Sequence, residues 1–166
     1  LLKIRMLQFG GRTKRGWNMQ KLLGINKTTF SNLEYMHNAI FSVRYTETGK
    51  EHLNHTKGRE INAKIIFHHY DGYLSCKEIF DGIHLIEYYY DWYAGNGQIL
   101  QKFHAHYHPA DTPEEIKEFD PWHWHVPLNL EDRDGHRVKG PENFTIHNVI
   151  SEHILPYILR VRRSQI

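Results

Sequence analysis

Between Ile61 and Pro109 the chain carries three dipeptides suited to reversing a β-strand, Asp71-Gly72, Asp81-Gly82 and Asn96-Gly97. Each is flanked by segments rich in Ile, Phe, Tyr and Trp. In a two-residue loop of type I′ both central residues need positive φ, which Asn, Asp and Gly tolerate. The spacing therefore predicts a four-stranded antiparallel meander over 62–70, 73–80, 83–94 and 99–108. Upstream, Phe41, Val43 and Tyr45 alternate with Ser42, Arg44 and Thr46, the pattern of a further half-buried strand over 41–47. The expected fold is a single α+β domain: a curved antiparallel sheet of about five strands, with an N-terminal helix, a short connecting helix and a C-terminal helix.

A length of 166 residues suits one domain. Residues 1–25 are read as an N-terminal extension, not assumed native before Met19, and 26–166 as the domain. Ser31 followed by Glu34 has the spacing of a capping box, and Phe30, Leu33, Met36 and Ile40 recur at helical spacing, which predicts a helix over 32–40. Thr112, Pro113, Glu114 and Glu115 suit the start of a short helix ending near Phe119. From Thr145, the stripe Ile146, Val149, Ile150, Ile154, Tyr157, Ile158 and Val161 predicts a closing helix that Pro156 kinks. The run from Leu130 to Asn143 reads as a polar loop.

Hairpin register turns the meander into a prediction about chemistry. A two-residue turn at Asn96-Gly97 sets Gly95 opposite Gln98 and fixes every later pair. One face then gathers Ala94 with Ile99, Tyr90 with Phe103, Tyr88 with Ala105 and Ile86 with Tyr107, and reads as core. The other gathers Asp91 with Lys102, Tyr89 with His104, Glu87 with His106 and Leu85 with His108. Lys77 and His84 fall on the core face in this scheme, which predicts a twist or bulge in the earlier hairpins. Beyond Pro121, His123 and His125 alternate with Trp122 and Trp124 in an extended piece and share one side. Five of the fourteen histidines therefore lie between Lys102 and Val126.

Three kinds of chemistry fit that cluster. A pair of HxH steps can supply a metal with His104, His106, His123 and His125, a divalent ion such as zinc being the cofactor. Without a cofactor, neutral and protonated imidazoles can act as base and acid in RNA phosphodiester cleavage. Glu87 would then orient His106, Tyr89, Trp122 and Trp124 would stack bases, and Lys102 would meet phosphate. The third reading is a non-enzymatic module whose Trp-His surface docks a partner protein. Composition narrows the setting. Lys and Arg number 21 against 19 acidic residues, so affinity for nucleic acid would rest on local patches. The lone Cys76 excludes an internal disulfide or a cysteine-rich zinc site and suits a reducing cytoplasm. No apolar run approaches the roughly 20 residues of a membrane span.

The order of parts resembles the TumE-like toxins of bacterial toxin-antitoxin pairs. The likeness rests on Asp71-Gly72, Leu74 and Glu78, on Tyr88 and Tyr90, on the step His108-Pro109, and on the ending Phe119, Pro121, His123, His125. Asp120 interrupts that ending, His104-Ala105-His106 replaces the family's Asp-Asn, and the connecting loop is longer. The resemblance implies a toxin acting on RNA and carries over His123 and His125 first and His108 next as catalytic residues, with His104 and His106 least matched; His106 joins the catalytic candidates through its predicted pairing with Glu87. It also implies an antitoxin partner with a helix-turn-helix, and leaves homodimerisation open.

Overall fold

The structure, a computed structural model, describes residues 21–45 and 59–163. The extension before Lys21 and the end of the predicted 41–47 strand lie outside the described residues. The fold is α+β with one antiparallel sheet of seven strands arranged in sequence order: β1 (Phe41–Tyr45), β2 (Arg59–Phe67), β3 (Gly72–Asp81), β4 (His84–Ala94), β5 (Ile99–Ala105), β6 (Trp122–Val126) and β7 (His136–Lys139). The expected meander is present and extends by two strands, since the supposed polar loop returns as β7. Helix α1 (Phe30–His37) starts two residues earlier than predicted, and α2 is limited to Glu114–Lys117. Ser31 and Glu34 form no capping box: the helix begins at Phe30, and Glu34 Oε1 instead accepts the Val43 amide at 2.8 Å, tying α1 to β1. No described helix is long and apolar enough to cross a membrane.

The turns keep their places and change their type. Gly82 (φ 62°) opens a two-residue loop between the paired Asp81 and His84, a type II′ geometry that needs positive φ only at its first position. A bulge follows: Phe80 pairs with Leu85 but Ile79 with Glu87, so Ile86 is extra and Lys77 moves to the polar face, where it meets Glu60 at 3.1 Å. Around Asn96 the loop has three residues, with Gly97 (φ 82°) left-handed and Ala94 exchanging hydrogen bonds with Gly97 and Gln98. Tyr93, not Ala94, therefore faces Ile99. Leu100 is then skipped before Trp92 meets Gln101, and this second irregularity restores the predicted pairs from Asp91–Lys102 to Tyr88–Ala105.

The first hairpin is looser, for Ile66 pairs with Tyr73 across a longer loop, and β2 ends at Phe67 rather than residue 70. Gly72 is a strand residue there, and a Cβ on it would stand 2.5 Å from the Tyr93 carbonyl oxygen. Gly72→Ala is expected to destabilise the fold by about 1–3 kcal/mol, the usual cost of overpacking, measurable by denaturant unfolding.

One face of the sheet carries the core. Phe41, Ile65, Leu74, Tyr88, Tyr90, Phe103 and Trp122 pack beneath α1 and the closing helical segment. That segment runs through α3 (Ile146–Asn148), a π-helical stretch (Val149–Ile154) and α4 (Leu155–Arg163). The wide turn lies just ahead of Pro156, whose ring would clash with the carbonyl four residues back in a regular helix. Residues 23–25, from the stretch read as an extension, pack with the domain alongside Lys27: Leu23 is buried, and Leu23, Ile25 and Lys27 bond backbone to backbone with Leu85 and Ile83. Thr28 and Tyr90 both donate to the fully buried Glu78, and burial pushes that carboxyl's pKa up.

Candidate metal centre

The opposite face of β4, β5, β6 and β7 carries the histidines. Cross-strand pairing sets His104 beside His123, and Lys102 beside His125, which in turn faces Arg137. The Pro109 to Pro121 connection therefore folds His123 and His125 back against His104 and His106. Imidazole centroids lie 5.7 Å apart for His104 and His123, 4.9 Å for His104 and His125, and 5.3 Å for His123 and His125. One nitrogen from each of these three rings falls within 4.8 Å of the others. His106 and His108, with centroids 4.5 Å apart, flank the group, His106 lying 4.8 Å from His123.

Two of the three rings are aimed by partners behind them. His104 donates from Nε2 to Asp91 Oδ1 at 2.8 Å, which leaves Nδ1 as the ring nitrogen outside that bond. His125 donates from Nδ1 to the Asp134 carbonyl at 2.8 Å, which leaves Nε2. That carbonyl sits in a tight turn where Gly135 (φ 74°) crosses against His125, at a distance a Cβ would reduce to 3.0 Å. His123 is 1% exposed, and its Nδ1 has no partner among the described residues. Burial lowers its pKa to about 2, with the neighbouring Arg137 guanidinium and the other imidazoles adding to the effect. Burial likewise lowers His106 and His125 to about 4 each. His123 and His125 are therefore neutral near pH 7, the form that ligates a metal, as is His106 beside them.

The fit to a metal can be read from the donors. An all-nitrogen set matches borderline ions such as Zn²⁺ and offers nothing to Mg²⁺ or Ca²⁺, which prefer oxygen. Imidazoles held by a carboxylate and a carbonyl are the usual outer support of such ligands. Ligation at Zn–N distances of about 2.0–2.1 Å would draw the nitrogens in to roughly 3.4 Å of one another.

The remaining predicted residues divide. Tyr89 packs its ring against His104 at 4.9 Å and His106 at 5.1 Å, on the polar face as expected. Lys102 lies in the adjacent row, across from Asp91. Glu87 is not the orienter of His106: its carboxylate accepts the Tyr89 hydroxyl at 2.8 Å. The pairs Glu87–His106, Ile86–Tyr107 and Leu85–His108 do not form, because residues 23–27 occupy the end of β4 and β5 stops at Ala105. His106 instead donates its amide to the Pro121 carbonyl at 2.9 Å. Trp122 and Trp124 point to the other side of the sheet, where Trp122 is 7% exposed and Trp124 packs on Phe103 and Phe144. They form no stacking platform for bases and no joint Trp-His surface.

Sequence reasoning missed four contributors. Asp120 accepts His108 Nδ1 at 2.6 Å and the His108 amide at 2.8 Å, so the residue that interrupts the family-like ending is what anchors His108. Asp91 could have been found from the register, being diagonal to His104 on the same face. Arg137 and the Asp134 carbonyl required β7, whose one signal was the Asp134-Gly135 step. Comparison of the chain with family models, curated proteins and solved structures finds no match.

Proposed function

We propose that the protein is a hydrolase working with a divalent metal, zinc fitting best, held by His104, His123 and His125. The observation that carries this reading is the convergence of three imidazole nitrogens within 4.8 Å, two of them pinned from behind by Asp91 and Asp134. Three protein ligands leave a fourth position open, the arrangement of catalytic rather than structural zinc. An ion held there would supply Lewis-acid chemistry. Asp91 and the Asp134 carbonyl fix ring orientation, the core side of the sheet holds the strands rigid, and Tyr89 walls the site.

The second reading is metal-free RNA cleavage by a cytoplasmic TumE-like toxin controlled by a helix-turn-helix antitoxin. The His108–Asp120 pair favours it, since Asp120 holds Nδ1 and leaves Nε2 available. Both residues line a cleft of about 790 Å³ that also takes in Glu87, Tyr107 and Lys117. Chelation separates the two. Under the first reading, purified protein carries one equivalent of metal that chelation removes and Zn²⁺ restores, and any RNA cleavage it shows stops and returns with the metal. Cleavage that persists in the metal-free protein but is lost in His108→Ala would sink the first reading and support the second.

A further inference from the structure

We infer that the site takes a phosphoryl oxyanion, as in a phosphate ester, and that Arg137 is the residue that grips it. The inference extends the metal reading to a substrate class, but it stands on a separate observation. Arg137 lies on β7 directly opposite His125, and its Nη1 donates to the Ile116 carbonyl of α2 at 2.6 Å. Its Nε and Nη2 are buried and have no partner among the described residues. A guanidinium is always charged, and a buried charged donor without an acceptor is costly, so such a group persists where an anion meets it. The α2 carbonyl fixes one arm of the fork and leaves Nε with Nη2, an edge matched to two oxygens of one anion.

The charge around it selects the kind of anion. Lys102 pairs with His125 and Lys139 with His123, so three cations stand in the rows that carry these histidines. Two carboxylates stand near these cations as well, Asp91 on His104 and Asp132 within the field of Lys102. Arg137 and Lys139 stand two residues apart on one face of β7, and a phosphate group, with more charge and more acceptor oxygens than a carboxylate, can answer both the two-oxygen guanidinium edge and the lysine.

Titration calorimetry of metal-free protein with inorganic phosphate and with acetate tests the inference, beside zinc stoichiometry measured separately. Wild type is expected to bind phosphate more tightly than acetate. Arg137→Met should bind phosphate at least about 10-fold more weakly, the effect of losing charged hydrogen bonds. Arg137→Lys, which keeps the charge without the fork, should fall between them. Without ligand, Arg137→Met should melt at or above the wild-type temperature, because replacing a poorly satisfied buried charge by an apolar side chain relieves its desolvation. Equal phosphate affinity in wild type and Arg137→Met, acetate binding as tight as phosphate, or a lower melting temperature for Arg137→Met would each overturn the assignment, the last making Arg137 a strut for α2. If wild type takes up no zinc while phosphate binding still depends on Arg137, the metal reading fails and this one stands.

Discussion

Replacing His123 with alanine should abolish stoichiometric zinc binding and the thermal stabilisation that zinc confers on the wild-type chain. A ligand that binds only the folded state at about 100 times its Kd adds about 2.7 kcal/mol of stability. For a domain of this size that is a rise in Tm of roughly 5 to 10 °C. His123 is the most deeply buried of the three ligands, 1% exposed, and stands 5.7 Å from His104 and 5.3 Å from His125, so the remaining pair cannot supply a third nitrogen in its place. The variant will also be less stable without metal, because a buried ring is gone. The decisive quantity is therefore the zinc-dependent difference in Tm for each variant. Two controls grade the result. Asp91→Asn, which leaves all ligands in place and weakens the support behind His104, should lower zinc affinity by about 10- to 100-fold. His106→Ala should keep one equivalent of zinc, since His106 stands outside the convergent three. A zinc-dependent rise in Tm that survives in His123→Ala would rule out this centre.

How much of this was legible depended on which hairpin carried it. Asn96-Gly97 marked the right place for the wrong loop, and the pairs that aim His104 came out correct because Leu100 is skipped and cancels the one-residue shift. Past Tyr88 the same register failed. Which segment takes the end of β4 is a competition between 23–27 and 106–108, and residues 23–27 hold it with Leu23 in the core and Thr28 on the buried Glu78. No local pattern reports such a long-range contest. That failure moved Glu87 away from His106 and released the loop in which Asp120 finds His108. The strand β7 was hidden for a different reason: an edge strand of four residues shows little alternation, and its arginine faces the site rather than the core.

The histidine face and the core face share β6, and this gives the other large effect. Trp122 alternates with His123, and its ring lies on the core side 6.0 Å from Tyr88, whose hydroxyl donates to the Phe144 carbonyl at 2.7 Å. Truncating such a ring removes its burial and leaves a cavity. Trp122→Ala is therefore expected to cost about 3–5 kcal/mol, a large part of the 5–15 kcal/mol typical of a whole domain. The measurement is the denaturant midpoint at unchanged slope, since a fall in the midpoint alone reports stability. Trp122→Phe should recover much of the loss, because an aromatic ring still fills the space. A residue acting by stacking on a nucleic-acid base would behave otherwise, with Trp122→Ala folding as stably as wild type and losing only binding. Because β6 places His123 next to Trp122 in sequence and on the opposite face, any zinc lost by Trp122→Ala should return with Trp122→Phe in proportion to the folded fraction. Zinc affinity that stays low in a fully folded Trp122→Phe would mean that Trp122 shapes the site itself and not only the strand that carries it.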